Sequence, residues 1–145
     1  MRRNALVPNT SLLCVFCNEV DESTNHLFLH CTKTWKVWSE IQKWLEVNCI
    51  ITANLFVHWR CWDGIVPNRK ELKRGMRLIW HTVIWVIWSV RNNVIFNNGG
   101  IEVEEVVGAI KRLSSSWSLS RLKIQPCLLY EWRWNPKWCL GVLRG

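Results

Sequence analysis

The stretch CVFCNEVDESTNHLFLHC, residues 14–31, brings three cysteines and two histidines together. Cys14 and Cys17 form a C-x2-C pair, and Cys31 stands five positions after His26. Structural zinc sites use four sulfur or nitrogen ligands in a tetrahedron, and two thiolates from one tight turn supply half of it. The spacing therefore predicts a closed, structural Zn²⁺ site built from Cys14, Cys17, a histidine and Cys31, with no open position for catalysis.

Spacing alone leaves the choice of histidine open. If residues 24–31 form an α-helix, His26 and His30 share a face, whereas His26 and Cys31 diverge by more than a quarter turn. Two alternatives to zinc fit these residues less well. A redox C-x-x-C pair is expected after a strand in a βαβ pattern, which is not apparent here. Unrelated buried cysteines would leave the neighbouring histidines unexplained, so a metal site is the favoured interpretation.

The charge of the chain indicates the class of partner. Its 145 residues carry a formal net charge of +8 and fit one domain, or one small module with an appendage. Such a balance favours nucleic acid or an anionic surface, and a merely basic domain is the alternative. No continuous apolar segment follows the basic start. We therefore expect a nuclear or cytoplasmic protein, not a secreted one, and no membrane partner.

Helical spacing of apolar residues predicts a mainly α fold. Residues 32–48 are expected to form a helix whose buried face is Trp35, Trp38, Ile41 and Leu45. The next segment, residues 49–67, is mixed in character and ends at a proline. We expect a small CCHC zinc-binding module packed on a helical bundle.

Two further helices are predicted beyond Pro67. The first is long, with Asn68 as its N-cap, Glu71 as the capping-box partner, and NNGG at 97–100 as its stop. Its two apolar stripes predict that other helices cover it on both sides, namely those around Trp38 and Trp117. Its segment 78–90, with Trp80, Trp85 and Trp88, is therefore expected to be the most buried helical segment outside the metal site. The second runs from about Glu102 to Arg121, and its predicted buried stripe is Val106, Ile110, Leu113 and Trp117.

The carboxy-terminal residues alternate in a different way. Leu128, Tyr130, Trp132 and Trp134 recur at every second position, which predicts an extended tail lying on the helices. The predicted divisions of the chain are a zinc-binding domain with its following helix at 1–62, a helical region at 63–125 and the tail at 126–145.

Two groups of residues are candidates for contacts with nucleic acid. The run RKELKRGMR, residues 69–77, can follow a phosphate backbone, and its alternative interpretation is a solvated helix start. Lysines also alternate with tryptophans along the first helix, where Trp44 lies off the buried stripe and can stack on unpaired bases. The candidates are Lys33, Lys36, Lys43, Trp44, Arg69, Lys70, Lys73, Arg74 and Arg77.

The Cys/His stretch and the residues after it resemble the zinc-binding domain found downstream of the reverse transcriptase in plant non-LTR (LINE-type) retrotransposons. The resemblance lies in the C-x-x-C pair, DEST at 21–24, HLF at 26–28, and Cys31 followed by Trp35 and Trp38. It implies His26, the histidine of HLF, as the fourth ligand. WSVRNNVIFNN at 88–98 and YEWRWNPKWCL at 130–140 resemble later parts of these polyproteins more loosely.

The resemblance implies a carboxy-terminal piece that helps to hold RNA or single-stranded DNA, alongside the polymerase part of a polyprotein. Polymerases use carboxylates to hold two metal ions. Asp21 and Asp63 are the only aspartates, so we expect no polymerase activity here. A structural or protein-interaction zinc module, and a decayed retroelement fragment without a selected role, are the alternatives.

Overall fold

Most of the described chain is helical, which confirms the predicted mainly α class. A computed structural model describes residues 12–97, 100–122 and 127–141. Within them, a π-helical turn at His26–His30 precedes α1 (Thr32–Leu45), α2 (Leu55–Ile65), α3 (Lys70–Asn97), α4 (Val103–Arg121), α5 (Leu129–Trp134) and α6 (Pro136–Cys139). No helix among these residues is long and apolar enough to cross a membrane.

A cluster of aromatic rings joins α1, α2 and α3. The ring of Trp38 on α1 lies 5.6 Å, centroid to centroid, from Trp62 on α2 and 6.4 Å from Trp80 on α3. The indole nitrogen of Trp62 is also hydrogen-bonded, because it donates to the carbonyl oxygen of Met76 at 2.9 Å. These contacts belong to one hydrophobic core that continues into α4 and the tail.

Helix α3 is central, as predicted, although its start and its exposed tryptophans differ from the prediction. The first backbone bond of the helix runs from Lys73 N–H to the Arg69 carbonyl, so Arg69 takes the cap position predicted for Asn68. The helix ends at Asn97, and residues 98 and 99 of the predicted stop lie outside the described ranges. Both apolar stripes are largely covered, but Trp85 and Trp88 are 52% and 44% exposed.

Helix α1 buries a slightly different face from the predicted one. Its buried residues are Thr34, Val37, Trp38, Ile41 and Leu45, whereas Trp35 is 53% exposed. Successive residues turn by about 100° around a helix, so the face that includes Thr34 excludes its neighbour Trp35.

Helix α2 was not predicted, because residues 49–67 lack a clear apolar stripe. Its N-cap is Asn54, whose side-chain oxygen accepts a hydrogen bond from Val57 N–H at 2.9 Å. Only His58 and Trp62 of this helix are fully buried, which explains why the segment looked mixed.

The prediction of an extended tail is wrong, since the tail folds into α5 and α6. The side chain of Glu131 accepts from Leu128 N–H at the start of α5, and Asn135 caps α6 ahead of Pro136. In so short a helix only Trp132 is buried, whereas Leu129, Tyr130 and Trp134 remain exposed. A disulfide between Cys127 and Cys139 closes the tail, with 5.8 Å between their Cα atoms.

The tail docks on α4 through Ser114 and on α3 through a glycine. The indole nitrogen of Trp132 donates to Ser114 Oγ at 2.9 Å, and Trp132 is fully buried. The buried face of α4 therefore continues through Ser114 and its neighbours, while Leu113 and Trp117 of the predicted stripe are only half-buried. Gly75 allows Leu140 to approach α3, because a Cβ at this position would overlap the Leu140 side chain.

Candidate metal centre

A short hairpin positions the first two cysteines. Its two arms pair through Leu13 and Asp21, and Cys14 N–H donates to the Val20 carbonyl at 2.8 Å. The chain reverses at Asn18, whose φ of 56° is a left-handed conformation that asparagine adopts more readily than most residues. Asn18 N–H closes the turn on the Cys14 carbonyl at 2.8 Å. The turn therefore holds Cys14 and Cys17 on one side of the hairpin.

A π-helical turn resolves which histidine joins them. The hydroxyl of Ser23, three residues before the turn, accepts a hydrogen bond from His26 N–H at 3.1 Å. Cys31 N–H then bonds to the His26 carbonyl at 2.7 Å, which is an i→i+5 bond. The wider turn brings residues five apart onto one side, so His26 and Cys31 face the hairpin together. The α-helical geometry assumed from the sequence had separated them.

The second histidine has a different role. His30 is exposed, and its Nε2 lies 2.7 Å from the carbonyl oxygen of Thr52. This contact fastens the π-helical turn to the segment that leads into α2. Asn25 adds a second link at the same place, because its side-chain oxygen accepts from Leu55 N–H at 2.9 Å.

Side chains from α1 satisfy carbonyl groups of the π-helical turn. Thr34 Oγ1 donates to the Leu27 carbonyl at 2.7 Å, and the indole nitrogen of Trp38 donates to the Phe28 carbonyl at the same distance. Both donors are buried. An unpaired buried carbonyl costs about 1–3 kcal/mol, so these two bonds stabilise the turn that aims His26. The apolar stripe predicted Trp38 as a core residue, but no sequence pattern indicates this second role.

The four predicted side chains converge and can hold a metal ion. The ligand atoms of Cys14, Cys17, His26 and Cys31 all lie within 4.8 Å of one another. Cys14 Sγ is 3.8 Å from Cys31 Sγ, and Cys17 Sγ is 3.4 Å from His26 Nε2. A tetrahedron with bonds of about 2.0–2.3 Å has edges of roughly 3.3–3.8 Å. The donor set and its spacing therefore fit a four-coordinate ion.

The surroundings of the cysteines differ in their effect on the thiols. Burial raises the pKa of the Cys14 thiol to about 12, and the neighbouring Cys31 acts in the same direction. Burial would also raise the pKa of Cys17, but hydrogen bonds from the backbone at Glu19 and Val20 outweigh it and lower that pKa. Three thiolates this close repel one another, so a divalent cation among them is what stabilises the charged form.

An ion pair attaches the hairpin to the central helix. Arg91 on α3 donates to Glu22 with Nη2 at 2.7 Å and with Nε at 3.0 Å, and both side chains are only 21% exposed. The guanidinium of Arg91 also lies 5.0 Å from the ring centre of Trp88. No sequence signal links two residues 69 positions apart, so this contact was not predicted.

Some cations of the basic run at 69–77 form an ion pair and others do not. Arg77 binds Asp63 through two nitrogens, at 2.7 and 3.2 Å, and Lys73 Nζ lies 2.7 Å from the Asp63 carbonyl oxygen. The hydrogen bond and charge of Arg77 lower the pKa of Asp63. Among the described residues, Arg69, Lys70 and Arg74 form no ion pair.

The candidates on α1 are divided in the same way. Lys43 pairs with Glu40 at 3.0 Å on the surface, whereas Lys33 and Lys36 make no ion pair within the described chain. The ring of Trp44 is engaged, because its nitrogen donates to the Arg133 carbonyl at 2.8 Å and Lys111 lies 5.3 Å from its ring centre. Trp35 instead leaves more than half of its surface exposed on this helix.

Comparison of the chain with protein-family models, with curated proteins and with solved structures finds no match.

Proposed function

We propose that this chain is a structural zinc module that binds RNA or single-stranded DNA and has no polymerase activity of its own. The observation that carries the proposal is the convergence of Cys14, Cys17, His26 and Cys31 on one point. Such a site uses every ligand to fix the fold around it, so the chemistry it supplies is structural.

Zinc suits this donor set better than other common ions. Three thiolates and one imidazole are soft or borderline ligands, which calcium and magnesium do not favour. Zinc accepts tetrahedral coordination without a preference from its d-electrons, and a Cys₃His set is common in structural zinc sites. When bound, the ion would fasten the hairpin to the π-helical turn.

Nucleic acid is the partner that the charge and the resemblance support. The chain has a net charge of +8, and three cations of the basic run, Arg69, Lys70 and Arg74, lack an ion-pair partner within the described residues. The resemblance of residues 5–48 to the zinc-binding domain of plant LINE-type polyproteins supports the same partner. It also supports an origin at the carboxy-terminal end of such a polyprotein.

A salt series tests the nucleic-acid part of the proposal. We expect the zinc-loaded chain to bind a single-stranded RNA of mixed sequence weakly, with an affinity that falls as salt rises. Three phosphates neutralised by Arg69, Lys70 and Arg74 contribute about −2 to the slope of log affinity against log salt. The double variant Arg69→Gln with Lys70→Gln should make the slope less steep by about 1.4. Filter binding measures both quantities.

A matched control removes two positive charges elsewhere. Arg60 on α2 and Arg112 on α4 are exposed, and the double variant Arg60→Gln with Arg112→Gln should leave the slope nearly unchanged. Equal changes in the two double variants would mean that only the net charge matters. Absence of binding at low salt, with zinc present and the chain folded, would contradict the proposal.

A further inference from the structure

Three arginines surround a pocket between α3 and α4, and two of them belong to the basic run at 69–77. The pocket has a volume of about 300 Å³. Arg74 and Arg77 reach it from α3, and Arg121 reaches it from the carboxy-terminal end of α4. Sites for small ligands have volumes of roughly 300–1,000 Å³, so this one has room for a single small unit.

The cations of the pocket are unevenly compensated. Asp63 binds Arg77 through both carboxylate oxygens, and this pair is therefore close to neutral. Arg74 and Arg121 form no ion pair within the described residues. Two guanidinium groups without a carboxylate partner suit a phosphate, which they can bind with paired N–H donors.

The remaining lining of the pocket is aromatic and apolar. Trp117 and His81 contribute rings, and Leu78 contributes an aliphatic side chain. The guanidinium of Arg121 lies 4.5 Å from the ring centre of Trp117, so a cation and a flat apolar surface are adjacent. Partial burial lowers the pKa of His81. A planar base can stack on such rings.

We infer that this pocket binds one nucleotide unit, with the phosphate at Arg74 and Arg121 and the base against Trp117 and His81. The inference rests on the proposed function, which it deepens by naming the place where a strand would seat one of its nucleotides. A free nucleoside monophosphate has the same chemistry, and the experiment below separates the two sources.

Calorimetric titration of the zinc-loaded full chain with adenosine monophosphate is the first test. We expect measurable binding that weakens about tenfold or more when the ligand is adenosine or ribose 5-phosphate, because each lacks one of the two recognised parts. The variants Arg74→Gln and Arg121→Gln should each weaken binding of adenosine monophosphate about tenfold. Arg112→Gln, an exposed arginine on α4 outside the pocket, is the matched control and should not change it.

Single-stranded RNA, titrated into the same four proteins, distinguishes failure of this inference from failure of the proposed function. Weaker RNA binding by Arg121→Gln than by Arg112→Gln assigns the pocket to a strand, because Arg121 lies outside the basic run to which Arg74 belongs. Binding of adenosine monophosphate without any RNA binding assigns it to a free nucleotide, and the proposed function then fails alone. RNA binding with no response to adenosine monophosphate, and with equal RNA affinities of Arg121→Gln and Arg112→Gln, overturns the pocket and leaves the proposed function standing.

Discussion

His58 lies among the tryptophan rings of the core and is fully buried. Its Nδ1 accepts a hydrogen bond from the indole nitrogen of Trp80 at 2.9 Å, so the proton of the neutral ring is on Nε2. Nε2 has no hydrogen-bond partner among the described residues. Burial lowers the pKa of His58 from 6.5 to about 4, because a charged imidazole would lose its hydration and face an indole donor.

The lowered pKa of His58 predicts that the protein loses stability in mild acid. The unfolded chain takes up a proton near pH 6.5 and the folded chain only near pH 4, so the contribution of His58 to stability is complete above pH 6.5. The free energy of unfolding should then fall by up to about 3 kcal/mol as the pH drops from 6.5 to 4. Urea unfolding of the wild type and of His58→Phe, at several pH values, measures the effect.

The comparison with His58→Phe isolates this residue, because protonation of the metal ligands affects both proteins alike. The phenyl ring does not titrate. The free energy of unfolding of the wild type, minus that of His58→Phe, should therefore decrease as the pH falls. A difference that stays constant from pH 7 to pH 5 would show that His58 does not carry the pH dependence.

The choice of ligand shows how far single residues could be predicted from the sequence. The C-x2-C pair and Cys31 were identified from their spacing, because a tight turn and a nearby third thiol leave few alternatives. His26 required either the family resemblance or the structure. The i→i+5 bond between Cys31 and His26 depends on the Ser23 cap and on donors from α1, and no periodicity in residues 24–31 indicates it.

Among the elements, helices with a strong apolar stripe were predicted well and short ones were not. Helix α4 begins and ends within one residue of its predicted limits, because its acidic start and its stripe both mark it. Helix α2 was not predicted, although Asn54, an N-cap residue directly before the apolar start of this helix at Leu55, could have indicated it. In α5 the tertiary contact of Trp132 with α4 determines the fold, and that contact is not visible in a local pattern.

The docking of α5 on α4 provides a test at this scale. In Ser114→Ala the buried N–H of Trp132 loses its acceptor, which should lower the free energy of unfolding by about 1–3 kcal/mol. Ser116→Ala, in the same serine tract but exposed, should change it by less than about 0.5 kcal/mol. Chemical denaturation measures both. Equal stabilities of the two variants would indicate that the hydrogen bond does not hold the tail.

At the scale of the whole molecule, the metal centre and the helical core form one structure. Trp38 links them directly, because its ring packs on Trp62 while its nitrogen bonds to the π-helical turn. Glu22 and Arg91 link the hairpin to α3. Loss of the ion should therefore loosen the hairpin first and then weaken a core that depends on it.

The zinc content of the purified chain, in the wild type and in three variants at His26 and His30, measures directly whether the predicted ligands hold a metal ion. We expect one zinc per chain in the wild type and in His30→Ala, since His30 only contacts a backbone carbonyl. His26→Ala should bind zinc at least about tenfold more weakly in competition with a chelator, and His26→Cys should restore binding as a four-cysteine site. A wild type that binds no zinc, or a His30→Ala variant that loses zinc while His26→Ala keeps it, would contradict the account.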